Sequence, residues 1–214
     1  MRIALYGNGS SGNHGCEAIV RGTYTLIKEP LTILSEEMDE DIIYGLAKFC
    51  NVLDAKNGKI SKARLIRAYM KLKLKNNYTD MDGLPYVDSI KKIKGKVDFA
   101  LSAGGDNYCY ENQAFYAFLN KEYQKKGIKT VLWGCSIEPE VIKKKKVLED
   151  LKSYNLIVAR ESITYQSLKE IGANVILNPD PAFYMKSEKC ILDKRFENGD
   201  VIGVNISPMI ISNE

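Results

Sequence analysis

The sequence contains few of the residues and patterns that mark several specialised protein classes. It has one histidine, and its five cysteines are odd in number and form no C-x-x-C pair, which argues against a disulfide framework and a structural zinc site. No apolar run approaches the roughly 20 residues that span a bilayer, and no signal-peptide pattern precedes the first predicted strand. The net charge of +4 is too small to indicate a nucleic-acid partner. We therefore expect a cytoplasmic protein.

Short β-branched runs alternate with longer helical patterns along the chain, which predicts βα units around a parallel sheet. The fold class expected is therefore α/β, a Rossmann-like parallel sheet with flanking helices. Predicted strands cover residues 3–6, 31–34, 51–53, 97–102, 130–133, 156–158 and 174–177. Predicted helices cover residues 15–28, 37–49, 61–75, 86–92, 112–126, 139–152 and 161–171.

The last part of the sequence predicts a domain boundary. We expect a Rossmann-like domain over residues 1–185, a polar linker over 186–200 and the first strand of a further domain over 201–214, which opens with the apolar run "VIGVNISP" (201–208). A parallel strand without its return helix leaves an apolar face uncovered. The alternative is that this run returns to the edge of the sheet.

A glycine-rich loop, "GNGSSGNHGCEA" (7–18), follows the first predicted strand and satisfies the G-x-G-x-x-G pattern of dinucleotide sites. In such sites the helix begins within the glycines, whereas here the loop continues to Gly15, and Glu17 in the first helical turn would repel a pyrophosphate. Glu36, after the second strand, keeps an NAD-dependent oxidoreductase as an alternative. The loop is expected to face a ligand, and the lone histidine, His14, is its candidate acid or base.

Two more loops carry polar side chains after predicted strands. "SAGGDNY" (102–108) contains paired glycines, which allow the backbone to approach a ligand, together with Asp106 and Asn107. "WGCSIEP" (133–139) places Glu138 where it can face a cleft. Open α/β sheets bind ligands at this edge, so three such loops together indicate a binding site.

Arg160 lies at a predicted strand–helix junction, where a guanidinium can bind a carboxylate or phosphate through two parallel hydrogen bonds. The alternative is a salt bridge across the edge of the sheet. Asp180 stands between two prolines that fix its backbone, which suits a contact with a ligand or with another domain.

The stretch 56–75 contains eight lysines and arginines and no acid. Ala63, Ile66 and Met70 are spaced as one face of a helix, which we interpret as a solvated helix with that apolar face on the core. The alternative is an electrostatic platform for an anionic lipid or polymer, and thus a peripheral membrane contact.

Six segments, in this order and spacing, resemble the polysaccharide pyruvyl transferase family. They are "GNHGCEA" (12–18), "SAGGDNY", "WGCSIEP", "ARESITYQSLKEIGA" (159–173), "NPDPAF" (178–183) and "VIGVNISP". One position departs from the family pattern, G-N-x-G-D-E-A, because Cys16 replaces its aspartate.

The resemblance implies the N-terminal half of a two-domain GT-B architecture, with the site in the cleft between the halves. Family members transfer the pyruvyl group of phosphoenolpyruvate onto two hydroxyls of a sugar as a ketal, in cell-surface polysaccharide synthesis. The resemblance implies no metal and no cofactor beyond this donor, and a lipid-linked acceptor would give the basic helix a purpose. The family's histidine and arginine of the C-terminal half have no match in this chain.

The resemblance also suggests roles for particular residues. Arg160 is the candidate contact for the donor anion, and His14 the candidate for acceptor positioning. The residues expected to line the cleft or face it are Gly12, Asn13, Glu17, Gly104, Gly105, Asp106, Asn107, Glu138 and Asp180. Two alternatives stay open, a GT-B glycosyltransferase that uses a sugar nucleotide and a non-catalytic carbohydrate-binding or assembly module.

Overall fold

The computed structural model describes residues 1–110, 112–187, 189, 191, 193–196, 199 and 201–204. These residues form one parallel sheet of seven strands in the order β3-β2-β1-β4-β5-β6-β7. The strands are β1 (Ile3–Tyr6), β2 (Leu31–Ser35), β3 (Cys50–Asp54), β4 (Phe99–Ser102), β5 (Lys129–Cys135), β6 (Leu156–Ala159) and β7 (Val175–Leu177). Each lies at the position predicted from the sequence, and the Rossmann-like class is confirmed.

Helices connect the strands and cover both faces of the sheet. They are α1 (His14–Ile27), α2 (Met38–Ile43), α3 (Lys62–Lys75), α4 (Thr79–Lys92), α5 (Gln113–Lys125), α6 (Pro139–Ile142), α7 (Lys145–Leu151) and α8 (Ser162–Glu170). Short 3-10 turns lie at Leu46–Lys48, Pro181–Tyr184 and Lys194–Phe196. Among the described residues, no helix combines the length and the apolar character that crossing a bilayer requires.

The alternation of side chains along the strands produces a core on each side of the sheet. Ile3 and Leu5 point to one face, where Ile19 and Val20 of α1 cover them. The alternate residues of β1 point to the other face, under α4 and α5. Period-two alternation in a buried strand requires cover on both faces, which explains why β1 is apolar throughout.

Three helix predictions were wrong at their boundaries. The helix predicted over 37–49 ends at Ile43, because Gly45 has a φ of +80° and the chain continues as a 3-10 turn. The helix predicted over 139–152 is divided, since Lys144 has an extended backbone and caps α7. Helix α4 begins at Thr79, seven residues before its predicted start, and contains Pro85.

The predicted domain boundary stays a prediction. Residues 201–204 are exposed and form no strand, and residues 205–214 of the predicted strand and domain lie outside the described residues. The linker predicted over 186–200 contains the short turn Lys194–Phe196 among its described residues.

Helix α1, strand β5 and the turn Pro181–Tyr184 meet on one face of the sheet. Thr23 in α1 donates its hydroxyl hydrogen to the carbonyl of Ile19 and accepts a hydrogen bond of 2.9 Å from the indole of Trp133. Gly22 allows the turn to approach α1, since a Cβ at this position would lie 1.9 Å from the carbonyl oxygen of Pro181. The absence of a side chain at Gly22 therefore sets how closely the turn packs.

We expect Gly22→Ala to lower the free energy of unfolding by about 1–3 kcal/mol, the usual cost of forcing atoms into a packed site. The sign is informative, because glycine to alanine in a helix interior otherwise stabilises by roughly 0.5–1 kcal/mol. Urea denaturation followed by circular dichroism measures the difference. An increase in stability would show that the turn does not pack on α1 as described.

Candidate functional site

A cavity of about 370 Å³ opens at the carboxyl edge of the sheet, beside the point between β1 and β4 where the strand order reverses. Crevices at this point of doubly wound sheets are the usual ligand sites of the fold. The wall combines the loops after β1 and β4, the first turns of α1 and α5, and residues that follow β6 and β7. Its residues are Gly7, Asn8, Gly9, Asn13, Gly15, Cys16, Ile19, Gly104, Gly105, Asp106, Asn107, Tyr110, Asn112, Tyr116, Arg160, Asp180 and Ala182.

Arg160 joins the ends of four neighbouring strands. Its Nη2 donates to Asp106 after β4, its Nε donates to the Oγ of Ser136 after β5 at 2.7 Å, and its Nη1 donates to Asp180 after β7 at 2.9 Å. Gly105 makes room for this arrangement, since a Cβ there would lie 2.2 Å from Nη1. The arginine is thus held from three sides in the cavity wall.

The salt bridge across the sheet edge, one of the two alternatives for Arg160, is present. Burial alone would lower the pKa of Arg160, but the bonds with Asp180 and Asp106 outweigh it and raise the pKa. Each terminal nitrogen carries two hydrogens and uses one of them on a carboxylate. One N–H of each terminal nitrogen therefore remains for another acceptor.

A buried carboxylate fixes the glycine loop after β1. Asp41 of α2 is fully buried, and it accepts hydrogen bonds from the backbone N–H of Ser11 at 3.0 Å, from the Ser11 hydroxyl at 2.5 Å and from the Ser35 hydroxyl at 2.6 Å. Such charge-assisted bonds are among the stronger ones in proteins. The loop is therefore tied to α2 and to the end of β2.

A buried tyrosine in the loop after β4 anchors that loop to α7. Tyr108 is 1% exposed, and its hydroxyl donates to Asp150 of α7 and lies 2.9 Å from the hydroxyl of Tyr154. Burial raises the pKa of Tyr108 and that of Asp150. Two residues earlier in the same loop is Asp106, whose position is restricted by this anchor.

Asn8 is a residue of the cavity wall whose polar atoms are unsatisfied. It is 1% exposed, and neither its Nδ2 nor its Oδ1 has a hydrogen-bond partner among the described residues. A buried amide without partners costs free energy, and native structures contain few such groups. Asn8 is thus a candidate to donate to and accept from a bound ligand.

The structure brings together seven of the predicted site residues and separates the other four. Asn13, Gly104, Gly105, Asp106, Asn107 and Asp180 line the cavity with Arg160, whereas Gly12, His14, Glu17 and Glu138 do not.

The four residues outside the cavity have other surroundings. The side chain of His14 is 74% exposed and its Nδ1 lies 3.1 Å from Glu17, which also pairs with Arg21. A Cβ on Gly12 would meet the carboxylate of Glu40, and Glu138 is exposed at the start of α6. The roles predicted for these residues stay predictions.

The first turn of α1 offers little to a pyrophosphate. The side chain of Asn13 accepts from the N–H of Gly15 at 3.0 Å, and its carbonyl accepts from Cys16 and Glu17. Helix N-termini bind phosphate through N–H groups that are still unpaired. Glu36, the candidate ribose acid, lies in a separate acidic pocket. The geometry therefore disfavours the dinucleotide alternative.

Sequence reasoning missed the amide and aromatic part of the wall. Asn112 and Tyr116 lie one turn apart at the start of α5, which is a spacing that places both on one side of the helix. Asn8 was within the quoted glycine loop but was not distinguished from its neighbours. Only the packing of α5 against Gly7, whose added Cβ would lie 2.9 Å from the Tyr116 ring, brings them together.

Cys16, which stands where the family pattern has aspartate, also lines the cavity. Burial raises its pKa, and the carboxylates of Asp106, Asp41 and Glu36 raise it further. The thiol is therefore protonated and uncharged at neutral pH. Within the described ranges, no three His, Cys, Asp or Glu side chains converge as metal ligands.

The family model for polysaccharide pyruvyl transferase matches residues 13–208. This chain belongs to the polysaccharide pyruvyl transferase family. The match covers the cavity residues from Asn13 onward, and the family is a transferase family. No curated protein matches the sequence.

Solved structures share the fold of this pyruvyl transferase family member. UGT89C1 of Arabidopsis thaliana, in complex with quercetin, superimposes with a TM-score of 0.53 and 10% identity over 92% of this chain and 54% of that chain. The same protein in complex with UDP gives a TM-score of 0.44 and 12% identity over 79% and 44%. The chain spans about half the length of these GT-B glycosyltransferases, and the likeness concerns the fold alone.

The raised pKa of Cys16 predicts that its thiol is alkylated slowly and that the rate still increases at high pH. Iodoacetamide reacts with the thiolate, so at pH 8 we expect Cys16 to react more slowly than the same cysteine in urea, and its rate to keep rising above pH 9. Peptide mass spectrometry after timed labelling measures this for each cysteine. A rate that levels off below pH 8 would contradict the assignment.

Proposed function

We propose that the chain carries the acceptor side of a pyruvyl transferase that uses phosphoenolpyruvate as donor. Two hydroxyl oxygens of a sugar bond to C2 of the donor, the methylene becomes a methyl group, and the bond to the phosphate oxygen breaks. One hydroxyl proton ends on the methyl carbon and the other on the released phosphate. The family match over residues 13–208 is the observation that carries this proposal.

The composition of the cavity supports a neutral, hydroxyl-rich ligand on this side. Its wall contains the amides of Asn8, Asn13, Asn107 and Asn112 together with aromatic rings. Amides both donate and accept, as sugar hydroxyls do. The acceptor sugar therefore fits the wall between the glycine loop and α5.

The charges of the cavity are ill suited to a donor bound by this half alone. Arg160 contributes one positive charge, while Asp106 and Asp180 beside it contribute two negative charges. Phosphoenolpyruvate carries a phosphate and a carboxylate, so it needs further cations. In this proposal the two remaining N–H groups of Arg160 contact one anionic group of the donor, and the rest of the enzyme supplies the other cations.

The two carboxylates have different freedom to act in such a site. Asp180 is fixed, because it also accepts from the N–H of Ala182 and its side chain is only 18% exposed. The side chain of Asp106 is 51% exposed. We assign Asp180 to holding Arg160 and Asp106 to accepting a hydrogen bond from an acceptor hydroxyl.

In biological terms the proposal places the reaction in cell-surface polysaccharide synthesis, on the cytoplasmic side, with no cofactor beyond the donor. A sugar carried on a lipid is the acceptor that we favour. His14, at the start of α1 and outside the cavity wall, is assigned to positioning the acceptor, so His14→Ala should raise the acceptor KM.

The donor assignment is tested by incubating the enzyme with phosphoenolpyruvate and a panel of oligosaccharides. We expect acceptor-dependent phosphate release and a new ketal methyl signal in the proton NMR spectrum. A glycosyltransferase would instead consume a sugar nucleotide and release a nucleoside diphosphate. A binding or assembly module would retain oligosaccharide without either reaction.

Cysteine labelling tests whether the acceptor occupies this cavity. A bound oligosaccharide should slow the alkylation of Cys16, which lines the cavity, several-fold. Cys109 is the internal control, because its thiol donates to the carbonyl of Ser136 and does not line the cavity. Equal protection of both cysteines, or of neither, would argue against acceptor binding here.

We expect Arg160→Ala to abolish detectable turnover, and Arg160→Lys to lower kcat/KM for phosphoenolpyruvate by about 10²–10³-fold, as expected for the loss of one preorganised transition-state contact. Lysine keeps the charge but not the planar fork. Circular dichroism reports whether the fold is retained, and Lys143→Ala, on an exposed pair, is the control. Near-normal turnover in both arginine variants would reduce Arg160 to a structural ion pair.

A further inference from the structure

Helix α3 directs its apolar side away from the core, whereas an ordinary surface helix directs that side toward the core. Its apolar face was predicted to lie on the core, but that prediction was wrong. Ile66, Met70 and Leu74 are 64%, 49% and 74% exposed, and Ala68 is the one buried residue of the helix. The spacing of four residues aligns these three side chains along one side, so the exposed stripe is continuous.

The polar side of α3 faces the protein. Arg64 pairs with the nearly buried Glu122 of α5 at 3.3 Å, and Lys71 pairs with Asp80 of α4 at 2.6 Å. Ala68 lies between these two cations on the same side. These contacts place the polar side of α3 against the protein and leave its apolar stripe outward.

Helix α3 is also unnecessary for covering the sheet. It packs on α4, and none of its side chains belongs to the three apolar clusters that the described residues form against the strands. Helices α4 and α5 already cover that face. The apolar stripe of α3 thus has another purpose than core formation.

The charges around the stripe indicate the partner. Lys62, Arg67, Lys73 and Lys75 have no carboxylate within 4 Å in the described part of the chain, and the stretch 56–75 contains no acid. Tyr69 is half-exposed beside the stripe, with the ammonium of Lys73 5.7 Å from its ring centroid. Apolar side chains flanked by lysines and an aromatic ring are the composition of helices that lie in a membrane interface.

We propose that α3 docks the protein on an anionic lipid bilayer. Ile66, Met70 and Leu74 would enter the region between headgroups and acyl chains, and the unpaired cations would contact lipid phosphates. A cation near an anionic membrane contributes roughly fivefold in partitioning. The proposal does not depend on which donor or acceptor the enzyme uses, and its test requires no turnover.

The test is co-flotation of the protein with vesicles of phosphatidylcholine that contain 30 mol% phosphatidylglycerol, against pure phosphatidylcholine. We expect binding to the anionic vesicles, and we expect Ile66→Ser with Met70→Ser to reduce it about tenfold or more, since apolar burial is lost. Replacing Lys62, Arg67 and Lys73 by glutamine should reduce it about a hundredfold at low salt.

Matched controls use exposed residues elsewhere on the surface. Ile43→Ser with Ile163→Ser removes two isoleucines that are 81% and 65% exposed, and replacing Lys143, Lys144 and Lys145 by glutamine removes three lysines outside α3. Both should bind as wild type does. Circular dichroism confirms that all variants are folded.

Four outcomes would overturn the proposal. Three are absence of wild-type binding to anionic vesicles, unchanged binding of the Ile66 and Met70 variant, and equal losses in the matched controls. A fourth is a wild-type dimer that this variant converts to a monomer, because the stripe would then be an interface between two copies of the chain.

Discussion

The ion pairs of Arg160 are the interaction on which the rest of the site depends. The carboxyl ends of parallel strands lie at one edge of the sheet. The hydrogen bonds of the sheet do not fix the relative positions of the loops that follow. A single guanidinium with three acceptors joins the loops after β4, β5 and β7 to the end of β6. Because these contacts hold the loops in one arrangement, the wall needs little further ordering on binding, which preserves binding free energy.

Most of the sheet could be predicted because each strand is a short apolar run between turn residues. The helix boundaries were harder where tertiary contacts override local preference. Helix α4 was predicted to begin only at residue 86, yet it begins before Pro85 and contains that proline. The lysine run 143–146 hides the break before α7. For the site, the order of the motifs identified the loops. It did not show which side of α5 faces the cavity or that Asn8 is buried.

The position of Cys16 illustrates a second limit of sequence reasoning. The departure from the family aspartate was visible, but its electrostatic meaning depended on Asp41, Asp106 and Glu36, which are distant in the chain. With three carboxylates nearby, a fourth would be costly, and a neutral thiol lowers that repulsion. Helix α3 shows the same limit. The spacing of its residues predicted correctly which side is apolar, but the prediction that this side faces the core was wrong.

The contact between Trp133 and Thr23 has a spectroscopic consequence. Trp133 is the sole tryptophan of the sequence, and its indole lies where α1, β5 and the turn Pro181–Tyr184 meet. The neighbouring Gly134 lies against Pro181, one residue from Asp180. The tryptophan emission of the protein therefore comes from one junction beside the cavity, so a shift in that turn would change its wavelength without any added label.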